Sequence, residues 1–159
     1  MKQTLFTITI DANTTYYYRV SARNWYGINN FSAYIETVTF CNPPVALTFG
    51  TVNENTIQSR WDANSNPNGT LFRAEMSTAS DYSVINDSSA WIQGTNFYFQ
   101  NLSNNTTYFF QVRTKNHQGI EALTIIGSTA TLVTTPPAPT ITASYDESSS
   151  GIGYYEKIF

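Results

Sequence analysis

Asn13-Thr-Thr-Tyr-Tyr-Tyr-Arg-Val-Ser-Ala-Arg-Asn-Trp-Tyr-Gly-Ile28 returns 92 residues later as Asn105-Thr-Thr-Tyr-Phe-Phe-Gln-Val-Arg-Thr-Lys-Asn-His-Gln-Gly-Ile120, without a gap. Eight of the sixteen aligned positions are identical, which marks an internal repeat and changes how every other feature is read. Pro43-Pro44, after Phe40-Cys41-Asn42, returns as Pro136-Pro137 after Val133-Thr134-Thr135, fixing the unit at 92 to 93 residues. The chain therefore divides into 1–42, the C-terminal part of one unit; 43–135, a complete unit; and 136–159, a linker and the opening strand or strands of a further unit.

Within the complete unit, period-two alternation between turn clusters predicts strands. Ile57, Ser59 and Trp61 fall on one face, with Gln58 and Arg60 on the other. Asn64-Ser-Asn-Pro-Asn-Gly69 is dense in residues that accept tight backbone geometry, so it ends that strand. The next strand turns Phe72, Ala74 and Met76 inward. Phe97 and Phe99 supply another, Leu102 caps a corner, and Tyr108, Phe110 and Val112 point inward on the strand after it. Thr129 to Thr134 is expected to close the unit.

Pro-Pro at the start, a Trp on the second strand, and Leu102-x-x-x-Thr106-x-Tyr108-x-x-x-Val112 followed by Asn116 and Gly119 together resemble the fibronectin type III family. The resemblance spans the central unit and implies an all-β, immunoglobulin-like sandwich. It also implies that Tyr108 makes a tyrosine corner, its ring buried and its hydroxyl bonded to the backbone upstream. Ile10, Thr14 and Tyr16 repeat the corner at the N-terminal end. The expected structural core is Trp61, Phe72, Phe99, Leu102, Tyr108, Phe110 and Val112, with Tyr16 in the corresponding place of the first unit.

The end pieces are incomplete units. Residues 1–42 align with the last three strands of a module, beginning near Phe6, and Thr140-Ile-Thr-Ala143 reads as an opening strand. A three-stranded remnant leaves strand edges and a sheet face uncovered, so something must cover it. Completion by the C-terminal strands of another copy is one answer, and such a head-to-tail contact would build a fibre.

Composition excludes several functions. A net charge of −3, with eight scattered basic residues, gives no footprint for nucleic acid. The start has no long apolar segment of the signal-peptide kind, and no run of about 20 apolar residues follows, so neither a signal peptide nor membrane insertion is expected. One Cys41 and one His117 cannot assemble a zinc site. The carboxylates Asp62, Glu75, Asp81, Asp87, Glu121, Asp146 and Glu147 fall in loops and outward strand positions, without the close pair that acid/base catalysis needs. Asp62-Ala-Asn64-Ser-Asn66 resembles a calcium loop but lacks the Gly and the bidentate Glu of one. No enzyme, cofactor or metal is therefore expected.

Scarce Lys with abundant Asn, Thr and Tyr points to an extracellular or cell-surface protein, bacterial by composition. Seven Asn-x-Ser/Thr sequons, at Asn13, Asn30, Asn68, Asn86, Asn101, Asn104 and Asn105, are unremarkable in such a chain. Tyr17, Trp25, Tyr26 and Phe109 sit at outward or loop positions and form the candidate contact surface, suited to a neighbouring module or to sugars. The expected function is a structural spacer or fibre-forming module, with neighbouring modules or copies of itself as partners. The alternative is a polysaccharide-binding or adhesive module carried by a secreted enzyme.

Overall fold

Alternation and turn chemistry produce strands where the computed structural model, which describes residues 8–140, places them. The strands are β1 (Thr15–Tyr18), β2 (Ser21–Arg23), β3 (Asn29–Phe31), β4 (Ile35–Val38), β5 (Val45–Ala46), β6 (Ile57–Asp62), β7 (Leu71–Ser77), β8 (Asp87–Ser88), β9 (Asn96–Phe99), β10 (Thr107–Lys115) and β11 (Glu121–Ala130). One sheet runs β5-β6-β9 and the other β11-β10-β7-β8, all neighbours antiparallel. This is the two-sheet sandwich that the family resemblance implies for the central unit.

The inner faces interdigitate in one cluster. Ile57 and Trp61 from β6 and Phe99 from β9 meet Phe72, Ala74 and Met76 from β7 and Tyr108, Phe110 and Val112 from β10. Phe99 packs on Phe110 at 5.3 Å between ring centroids and Trp61 on Phe72 at 6.1 Å. Leu102 is half-buried against this cluster, together with Phe49, Phe97 and Ile126.

The closing strand differs from expectation, running from Glu121 to Ala130 rather than from Thr129 to Thr134. Opposite β10, Phe110 pairs with Gly127 but Gln111 pairs with Ile125, so Ile126 is an extra residue in a β-bulge. Gly127 holds φ at +127°, a conformation essentially confined to glycine. Pairing ends when Leu132 N–H turns away to Asn53 O at 3.0 Å.

Residues 13–40 form a second copy of the β10–β11 hairpin. Thr15 pairs with Val38 as Thr107 pairs with Ala130, and Ser21 pairs with Phe31 as Arg113 pairs with Leu123. The copy consists of two long arms, each broken into two short strands, rather than the three strands expected from residue 6 onward. Residues 8–11 lie outside any strand, while Phe6 and Ile141–Ala143 lie outside the described residues.

The two hairpins differ in what covers them. Val112 is fully buried, whereas Val20, its counterpart, is 76% exposed. Tyr18, the counterpart of the enclosed Phe110, is also exposed. Tyr16 is half-buried rather than part of a core, because no second sheet among the described residues lies over this hairpin.

Candidate functional site

The corner of each hairpin is built by the same bonds. Asn13 and Asn105 adopt left-handed φ values of 46° and 47°, which Asn tolerates better than most residues. Thr14 N–H donates to Thr39 Oγ1 at 2.9 Å, and Thr106 N–H to Thr131 Oγ1 at 3.1 Å. Asp11 N–H donates to the Tyr16 hydroxyl at 2.7 Å, and Ser103 N–H to the Tyr108 hydroxyl at 3.0 Å. Each hydroxyl therefore accepts from the backbone.

The hairpin tips also match. Ile28 N–H and Ile120 N–H each donate at 2.9 Å to the side-chain oxygen of Asn24 or Asn116. Gly27 and Gly119 turn the chain at φ values of +81° and +82°.

The first corner docks onto the second tip, and this joint was invisible in the sequence. Asn13 is buried, its Nδ2 donating to Thr70 Oγ1 at 2.9 Å and its Oδ1 accepting from His117 N–H at 3.2 Å. Asn116 Nδ2 donates to Thr39 O at 3.2 Å. The connection is clamped as well: Asn42 N–H donates to Asn66 Oδ1 at 2.9 Å, Asn66 Nδ2 to Asn42 O at 2.8 Å and Asn64 Nδ2 to Pro43 O at 2.7 Å. Phe40, buried Cys41, Ile120, Glu121 and Ala122 line a surface cleft beside it. Burial pushes the Cys41 thiol up from its ordinary value, against a smaller downward pull from its hydrogen bond with Thr114.

The candidate contact residues divide. Trp25 and Tyr26, at the free tip of the first hairpin, are 98% and 89% exposed. Tyr17 is exposed and meets Tyr34 edge-on at 5.5 Å. Phe109, on β10, is only half-exposed and far less available than its position suggested.

Chemistry-bearing groups are dispersed. His117 sits at an exposed tip, engaged through its backbone. Among the described residues no three of His, Cys, Asp and Glu come close enough to hold a metal ion. Glu75 takes an outward strand position, as expected. There it is buried beneath cross-strand neighbours, accepting from Gln111 Nε2 at 2.6 Å and Arg113 Nε at 2.9 Å. The hydrogen bond from Arg113 to Glu75 is the main reason the guanidinium is held above its ordinary value.

The sandwich order, the buried Trp61 on β6 and the corner at Tyr108 coincide with a match to the family model for the fibronectin type III domain over residues 42–127, more than half of the chain. The chain belongs to the fibronectin type III family. Fibronectin type III domains are typically structural or adhesion modules of multidomain proteins and are generally non-catalytic.

Solved structures similar to the chain include a human fourth FNIII domain (16% identity, 62% of this chain and 85% of that one, TM-score 0.49). Others are rat CD45 extracellular domains d3–d4 (15%, 80% and 70%, 0.48) and titin domains A168–A170 (17%, 78% and 43%, 0.49). No curated protein matches the chain.

Proposed function

We propose that the chain is a non-enzymatic structural segment of a tandem fibronectin type III array in an extracellular or cell-surface protein, bacterial by composition. Residues 1–42 are the closing part of one module, 43–135 a complete module, and 136–159 the linker and opening of another. The observation that carries this reading is the joint at Asn13. A buried side chain there satisfies two groups of the neighbouring module, and the connecting residues are clamped by Asn64 and Asn66. Such a joint fixes the angle between modules, which is what a spacer requires.

The test is 15N relaxation on the whole chain at low concentration. Hairpin 13–40 and the following module should report one tumbling time, and Asn13→Gly, which keeps the left-handed backbone but deletes the bonds, should give the hairpin faster independent motion. Independent tumbling of the unaltered chain would overturn the proposal. The exposed Trp25, Tyr26 and Tyr17 favour polysaccharide binding as a second reading. Retention on a polysaccharide column that is lost in Trp25→Ala would support it over a pure spacer.

A further inference from the structure

We infer that the chain binds a second copy of itself head to tail, the tip Asn24–Ile28 of one copy docking on the corner formed by Asn105, Thr131 and Leu132 of the other. The contact already exists once within the molecule. There the corner of the first hairpin receives the tip of the second, through His117 N–H to Asn13 Oδ1 and Asn116 Nδ2 to Thr39 O. Because the hairpins share their corner and tip bonds, the corner and tip that dock on nothing among the described residues carry the same groups. By register, Asn105 and Thr131 correspond to Asn13 and Thr39, and Trp25 and Asn24 to His117 and Asn116, so the same acceptors and donors are on offer. Asn105 is exposed, and Leu132 and Val133 beside it are exposed apolar residues.

The free tip is more apolar than the tip already joined, while the two corners are alike, Leu132 and Val133 standing in register with Phe40 and Cys41. The tip offers Trp25 and Tyr26 where the docked tip has His117 and Gln118, whose side chains stay exposed in the internal joint, so the bonds rather than the aromatic rings carry the contact. A counterpart of Thr70, which accepts from Asn13 Nδ2 in the internal joint, is missing from this second contact, because the first hairpin has no counterpart of the β6–β7 turn among the described residues. Without a covalent tether the contact is therefore weaker than the internal joint.

Geometry favours a copy of this chain as the occupant. In the internal joint the chain leaves the corner and runs along β11, where Thr124 Oγ1 donates to Pro44 O at 2.6 Å. Docking by the same rule carries residues 136–140 of the copy that supplies the corner along Ser32 of the copy that supplies the tip, beside the face on which Val20 is uncovered. A tip-to-corner contact is heterologous and does not close, so it generates filaments. This inference rests on the repeat reading above, but it is tested separately, by assembly rather than by tumbling of the monomer.

The experiment is sedimentation velocity on the full chain up to about 1 mM, the range suited to a small contact. Two variants keep their local fold: Asn105→Gly suits the left-handed backbone, and Asn24→Asp retains the oxygen that accepts Ile28 N–H while losing the donor. The unaltered chain should grow beyond dimer with concentration. Each variant should require roughly tenfold more protein, about the loss of one hydrogen bond. An equimolar mixture of the two should stop at dimer, since one intact tip meets one intact corner. A chain monomeric throughout, variants that assemble like the parent, or either variant alone forming closed dimers would overturn the inference.

Discussion

Replacing Tyr108 by Phe removes one hydroxyl and leaves every apolar contact in place, and the repeat supplies its own control in Tyr16→Phe. Tyr108 is buried, and its hydroxyl accepts Ser103 N–H at 3.0 Å. Leaving a buried donor unpaired costs about 1–3 kcal/mol. Ser103 itself is solvent-exposed, so water recovers part of that, and about 1–2 kcal/mol is the expected loss. The Tyr16 bond is shorter, at 2.7 Å, but it lies in solvent beside a half-buried ring. Its loss should cost about 0.5 kcal/mol or less, since exchange with water is nearly even there. With a urea slope of about 1–3 kcal/mol/M, Tyr108→Phe should lower the midpoint by roughly 0.3–2 M. Near-ultraviolet circular dichroism, weighted toward enclosed aromatics, is the assay. If the two substitutions shift the midpoint equally, burial is not what separates the two corners, and the argument fails.

Trp61→Ala should cost about 3–5 kcal/mol in the same assay, as for any large enclosed aromatic, and a loss below about 1 kcal/mol would remove Trp61 from the core. Because the Trp61 indole N–H has no partner among the described residues, Trp61→Phe should cost clearly less than Trp61→Ala. Glu75→Ala should cost about 1–3 kcal/mol through the loss of its bonds to Gln111 and Arg113, with Arg113→Met recovering part of it in a double-mutant cycle. Cys41 should resist alkylation at pH 8 until the chain unfolds. Its thiol is raised in the fold, so its contribution to stability is complete below the ordinary thiol value of about 8.5 and is lost as pH rises through the folded value. Urea midpoints that do not fall between pH 8 and pH 11 would contradict this. The same limb includes Tyr82, whose hydroxyl is raised by burial and donates to Phe110 O at 2.9 Å.

What the sequence made legible was whatever local periodicity dictates. Ile57-Gln-Ser-Arg-Trp61 alternates strictly, so its buried and exposed faces could be assigned residue by residue. The corner could be read because Thr106 and Tyr108 act over a few positions of chain. The end of β11 was not legible, since a bulge at Ile126 reverses the alternation midway and a Thr-rich tail mimics strand composition. The burial of Glu75 was equally hidden: alternation correctly turned it away from the core, but its cover comes from β10, 36 or more residues away in the chain.

The joint was the larger omission, and the reason lies in the hairpins themselves. Asn13 and Asn105 share their neighbours in sequence, their backbone conformation and their corner bonds, yet one is buried and the other exposed. Nothing local can distinguish them, because the difference is made by Thr70 and His117, placed 57 and 104 residues away. The same holds for Val20 and Val112 on the inner faces: identical residues in identical register, with opposite burial. A repeat therefore predicts which groups are available for docking at each position but not which of them are used. Among the described residues that unequal use leaves one matching corner and one matching tip undocked, and the two are complementary whether the next module arrives along the chain or from another copy.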